Sequence, residues 1–145
     1  MHLKRIAIAV ALVAGTLAIA VPATASPDGA DSIVTTKMNG AKEAPGPGDS
    51  NGRGEFSATL SDTTICYAYY AKKIAAPTAA HIHEAPAGEP GPVVQALTVP
   101  TEEGVAACVT PAPALLAAIK ANPAGFYVNV HNAVFPAGAI RGQLK

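Results

Sequence analysis

The residues best suited to chemistry in this sequence are three histidines. His81 and His83 are separated by one residue, and His131 follows in the segment FYVNVH. Residues i and i+2 of a β-strand project from the same face, so the first two imidazoles point together. If the two segments are neighbouring strands, all three rings converge. Neutral imidazoles suit copper or zinc, and a fourth, open position would suit metal transfer or catalysis.

A second interpretation of these histidines needs no metal. His81 and His83 would then form hydrogen bonds within the sheet, and His131 would pack at a strand end. If a metal is bound, each ring should have a partner for its other nitrogen, and Glu84 and Asn129 are the candidates. Arg141 is the remaining candidate near the site, either close to the metal or bridging to a carboxylate such as Glu84.

The first residues predict export. Lys4 and Arg5 precede an apolar run that ends near Val21, and the small residues Ala23-Thr24-Ala25 follow it. This layout is typical of a secretory signal peptide spanning residues 1–25, with cleavage before Ser26. The mature chain would have 120 of the 145 residues, with 8 basic and 10 acidic side chains. That balance argues against nucleic acid as a partner, and no segment after residue 25 is apolar enough to span a membrane.

Two cysteines, Cys66 and Cys108, complete the chemically notable residues. In an exported protein an even pair predicts a disulfide, whereas two buried free thiols are the alternative. Neither cysteine belongs to a C-x-x-C motif, so thiol redox catalysis has little support.

The rest of the sequence predicts an all-β domain with one short helix. Residues 26–31 are small and polar, and we interpret them as a flexible lead-in. Residues 113–121, PALLAAIKA, begin with proline and are followed by Asn122-Pro123, which is typical of a helix. Alternating polar and apolar residues predict eight short strands: Ile33–Met38, Glu55–Leu60, Ile65–Lys73, Ala79–Glu84, Val93–Val99, Val105–Val109, Phe126–His131 and Ala139–Leu144.

Two segments carry a resemblance to a known family. AAHIHEAPAGEPGPVV and, some thirty residues later, GFYVNVHNAVFPAGAIRGQL resemble the CHRD domain, first described in chordin. The resemblance extends over about residues 32–144, so we assign 32–145 to a CHRD-type domain. It implies an immunoglobulin-like antiparallel β-sandwich, and it implies little chemistry.

The histidine pattern is also similar to a fragment of the copper–zinc superoxide dismutases. The corresponding residues here are His81, His83, His131 and Arg141, but a bridging histidine and the zinc-loop ligands are not evident. This departure leaves copper binding open and argues against dismutation.

The sequence therefore favours a secreted, non-enzymatic binding or structural module. Its partner would be an extracytoplasmic protein or ligand that the sequence does not identify. The alternative is a copper or zinc protein with a three-histidine site, with redox chemistry of the superoxide dismutase type as its less favoured form.

Overall fold

The structure, a computed structural model, describes residues 31–145, which form eight β-strands and one α-helix. The predicted signal peptide and residues 26–30 of the lead-in lie outside the described residues. No helix within residues 31–145 is long and apolar enough to cross a membrane. The strands are β1 (Ser32–Asn39), β2 (Arg53–Leu60), β3 (Ile65–Lys72), β4 (Pro77–Glu84), β5 (Val93–Ala96), β6 (Val105–Val109), β7 (Phe126–Asn132) and β8 (Ile140–Gln143), and the helix is α1 (Pro113–Ala121).

All eight strands belong to one antiparallel sheet in the order β5-β4-β7-β8-β1-β2-β3-β6. Its two halves meet in the middle, where Asn39 of β1 lies opposite Arg141 of β8. Buried residues of both halves, among them Phe56 and Val128, belong to one hydrophobic cluster. The sheet therefore curls until its halves face each other across a common core. The predicted all-β fold with one helix is confirmed, and the hydrogen-bonded sheet is continuous where a sandwich has two separate sheets.

The core follows from the period of two in the strands. In β3 the side chains of Tyr67 and Tyr69 are buried, whereas the alternating residues Cys66 and Ala68 are exposed, as the pattern predicts. On the neighbouring strand Phe56 packs against both tyrosines, with ring centroids 5.9 and 5.5 Å away. These cross-strand aromatic contacts anchor the half of the sheet that lies away from the histidines.

Helix α1 begins and ends where the sequence predicts. Pro113 occupies its first turn, where the missing N–H costs no hydrogen bond, and Asn122 N–H bonds to the carbonyl of Ala118 as the helix ends. Leu116 and Ile119 are buried, and both belong to the common core. The helix connects β6 to β7 in the chain and packs against the common core.

Strand β5 is shorter than predicted. The expected strand Val93–Val99 ends at Ala96, because Thr98 N–H turns to the hydroxyl of Tyr67 on the opposite half of the sheet. The Tyr69 hydroxyl donates in turn to the carbonyl of Thr98. A tertiary contact that lies about thirty positions away in the chain thus overrides the local β-propensity of Leu97-Thr98-Val99.

Cys66 and Cys108 form a disulfide, as predicted. They lie directly opposite each other on β3 and β6, at a sequence separation of 42. The bond joins the edge strand β6 to its only neighbour in the sheet.

We expect the double substitution Cys66→Ala/Cys108→Ala to lower the free energy of unfolding by about 4 kcal/mol, the value for a loop of this length in the chain-entropy model. Urea denaturation measures the difference. Ala68→Ser/Ala106→Ser is the matched control, because these exposed residues face each other on the same two strands. Equal stability of the double-alanine variant and the wild type would contradict the expectation.

Candidate metal centre

The pairing of β4 with β7 brings the three histidines to one face of the sheet. In this antiparallel pair His83 lies opposite Tyr127, His81 opposite Asn129, and Ala79 opposite His131. Directly opposed residues share a face, so His131 projects beside the two histidines of β4. The ligand nitrogens of the three rings lie within 4.8 Å of one another. The predicted convergence is therefore present, and the separation fits an arrangement that small rotamer changes would tighten around an ion.

Backbone carbonyls fix the orientation of two rings. The Nδ1 atom of His83 lies 2.9 Å from the carbonyl oxygen of Gly91, and Nδ1 of His131 lies 3.0 Å from that of Pro136. A carbonyl oxygen can only accept a hydrogen bond, so both Nδ1 atoms carry the proton. Each Nε2 atom is therefore unprotonated and can act as an acceptor or as a metal ligand.

The third ring closes the cluster. Nδ1 of His81 lies 3.2 Å from Nε2 of His131, and since that Nε2 is an acceptor, His81 donates. In contrast, Nε2 of His83 is buried and has no hydrogen-bond partner among residues 31–145. His83 is only 7% exposed, whereas His81 and His131 are partly exposed. The cluster thus has a buried end at His83 and an end that opens to solvent.

The surroundings of His81 and His131 favour the neutral form of both rings. Burial lowers the pKa of His81 from the usual 6.5, and positive charge on His131 or His83 would lower it further. Burial also lowers the pKa of His131, as does His83, although the hydrogen bond to Pro136 opposes the shift. At neutral pH the lone pairs are therefore available to a Lewis acid.

Arg141 is a buried residue of the same face, and its hydrogen bonds go to groups other than the three imidazoles. Its guanidinium carbon lies 3.3 Å from the ring centroid of Tyr127, whose ring stacks on His83 at 4.7 Å. Its nitrogens donate to the carbonyls of Glu89 at 2.8 Å and Pro86 at 2.9 Å. Burial lowers the pKa of Arg141, an effect that Tyr127 and Glu43 oppose.

Glu84, the predicted carboxylate partner of Arg141, lies elsewhere. Its side chain is exposed, and strand alternation directs it away from the face that holds His83. The carboxylate that influences Arg141 is Glu43, which the sequence analysis did not single out. Its only sequence signal was the position of a carboxylate in a loop of glycines and prolines, a weak hint of a buried, loop-held group.

Asn129 on β7 lies opposite His81 on one side and opposite Arg141 on the other. It does not provide the hydrogen bond that holds the ring of His83 or of His131. It is 2% exposed, and its Oδ1 atom is buried without a hydrogen-bond partner. Its side chain acts instead on Glu43, whose pKa it lowers. The two rings whose Nδ1 atoms bond to the backbone are held by loop carbonyls, which strand patterns in the sequence do not reveal.

Glu43 is a carboxyl group with an unusual environment. Burial raises its pKa to about 7, although Arg141, Asn129 and a backbone hydrogen bond at Ala44 each oppose the rise. Gly138 packs against this carboxyl so closely that a Cβ atom there would clash with it. Gly138 also has a φ of +145°, a conformation that favours glycine.

The sequence over these elements identifies the family. The model of the CHRD domain matches residues 34–144, which is most of the chain, so this protein belongs to the CHRD domain family. The match includes all three clustered histidines, both cysteines and Arg141. No curated protein matches the chain, and no solved structure does.

Glu43→Gln should change how stability depends on pH. The unfolded carboxyl has a pKa near 4.5 and the folded one about 7, so the folded state binds more protons between these values. The stabilisation from a neutral Glu43 is complete below pH 4.5 and is lost as the pH rises through 7. Glutamine stays neutral, so the variant should gain stability relative to wild type over this range.

Urea denaturation at pH 5 and pH 8 measures this difference. His81 and His131 have the opposite effect on the pH dependence of stability, and they have it in both proteins. Because their pKa values are lowered in the folded state, they reduce stability as the pH falls below 6.5. The exposed carboxylate of Glu55 provides the control variant, Glu55→Gln. Parallel pH profiles for wild type and Glu43→Gln would contradict the prediction.

Proposed function

We propose that this CHRD domain is an extracytoplasmic binding module that holds one copper or zinc ion with His81, His83 and His131. One observation carries the proposal: the Nδ1–H groups of His83 and His131 are tied to carbonyls, which leaves Nε2 of His83 buried and without a partner. Metal-ligating histidines typically donate their other N–H group in this way.

The alternative, a purely structural histidine cluster, explains less of the geometry. The hydrogen bond from His81 to His131 is compatible with it. The buried Nε2 atom of His83 is not, because an unpaired buried acceptor costs about 1–3 kcal/mol. A metal ion bound at this atom would satisfy it, and imidazole nitrogens are ligands that both copper and zinc accept.

The proposed ion would be bound by three protein ligands and would keep one side open. His81 and His131 are partly exposed, so the open side faces solvent. Such a site suits binding and transfer of the ion. We do not extend the proposal to dismutation, since the only histidine besides these three is His2, within the predicted signal peptide.

Metal titration of the chelator-treated protein tests the proposal. We expect one Cu(I) or Zn(II) ion per chain, at least a tenfold lower affinity in His83→Ala, and no specific binding in the triple alanine variant. Binding should also weaken below about pH 6.5, where imidazoles take up protons. Tyr70→Ala is the control, because it removes a partly buried ring on β3, far from the cluster in strand order. Unchanged binding in the triple variant would refute the proposal.

Export is the second part of the proposal. The disulfide between Cys66 and Cys108 supports it, since such bonds persist in oxidising compartments. Intact-mass analysis of the protein from its native host should give a chain that begins at Ser26. A mature species that retains the apolar segment would contradict the predicted cleavage.

A further inference from the structure

We infer that Arg141 is a positioning residue for the metal centre: through the loop of residues 85–92, it fixes the tautomer and the direction of the His83 ring. The inference rests on the proposed function and extends it to residues that touch no metal. Hydrogen bonds connect β8 to this loop, and another connects the loop to Nδ1 of His83.

The first link is between β8 and the loop. Arg141 donates to the carbonyls of Glu89 and Pro86, and the side chain of Gln143 donates to the carbonyl of Ala85 at 2.7 Å. Residues 86–90 are themselves exposed, so few apolar contacts hold them. The loop is therefore held largely by side chains of β8 that reach its carbonyl groups.

The second link is Gly91, at the far end of the loop. Its carbonyl accepts from Nδ1 of His83, and its N–H group donates to the hydroxyl of Tyr127 at 3.2 Å. A Cβ atom at this position would clash with the carbonyl of Glu84. Only glycine allows the backbone to come this close to β4 and to direct its carbonyl at the ring.

The third link is Tyr127, which contacts both ends of the chain. Its ring lies nearly parallel to that of His83, with an angle of 10° between the planes, and the guanidinium of Arg141 lies against the same ring. Arg141 thus acts on His83 by two routes, through the loop and through the stacked phenol. With Nδ1 fixed as the donor, Nε2 remains the nitrogen whose lone pair can bind a metal ion.

The contacts of Arg141 do more than fill space. It is 1% exposed and bonds to two separate carbonyls and to the side chain of Gln143. Lysine preserves the charge and much of the volume but lacks the planar group that reaches several acceptors at once. Arg141→Lys therefore separates positioning from charge and bulk.

Nitrogen-15 NMR of the histidine rings in the metal-free protein tests the inference, together with Cu(I) and Zn(II) titration. In the wild type, His83 should be a single tautomer with the proton on Nδ1. Arg141→Lys and Gly91→Ala should each give a mixture of tautomers and lower the metal affinity about 10- to 100-fold. The controls are Arg53→Lys, at an exposed arginine, and Gly46→Ala, where a Cβ atom meets nothing within 4 Å.

The outcomes separate this inference from the proposed function. If the two variants shift the His83 tautomer but neither they nor the wild type bind metal, the result supports positioning and refutes the metal proposal. Metal binding by the wild type with an unchanged tautomer and affinity in both variants refutes positioning alone, as does a wild-type His83 protonated on Nε2. If Arg141→Lys fails to fold, Gly91→Ala decides the question, since it leaves Arg141 intact.

Discussion

The register between β4 and β7 is the constraint on which the candidate site depends. It places Ala79 opposite His131 and His83 opposite Tyr127, and so puts three imidazoles and a phenol on one face. A slip of one residue would turn His131 to the other face and Val130 toward the histidines. The buried valines Val128 and Val130 hold the register, because their side chains fit only the core side. Hydrophobic burial on one face thus determines the chemistry of the other.

Most of the fold could be predicted from the sequence because its signals are local. The alternation of residues in β2 and β3 and the proline at the start of α1 act within a few positions, and those elements lie where they were expected. The end of β5 could not be predicted, since it is set by Tyr67 and Tyr69 in the distant half of the sheet. The joining of the halves through Asn39 and Arg141 is likewise a long-range pairing that no local pattern encodes.

The candidate site, like the fold, was predictable only where its sequence signals are local. Histidines at i and i+2 on a strand must share a face, so the pair on β4 was predictable, and the aromatic segment that follows offered a partner strand for His131. The groups that hold the rings were not predictable, because they are the carbonyls of Gly91 and Pro136 in loops. Glu84 was the expected partner of Arg141, yet strand alternation turns its side chain away, and the carboxyl group that acts on Arg141 is Glu43, from the loop after β1.

The strand order has a consequence for how the site is assembled. β1 and β8 come from opposite ends of the domain, and they lie side by side at the centre of the sheet. His81 and His83 are synthesised before His131, and Arg141 comes last, only a few residues before Lys145. A nascent or clipped chain that lacks β8 has neither the strand that joins the two halves of the sheet nor the residue that anchors the loop over His83. The fixed direction of the His83 ring is therefore a marker of a completely folded chain, whereas a truncated one would carry the same imidazoles without the contacts that orient this ring.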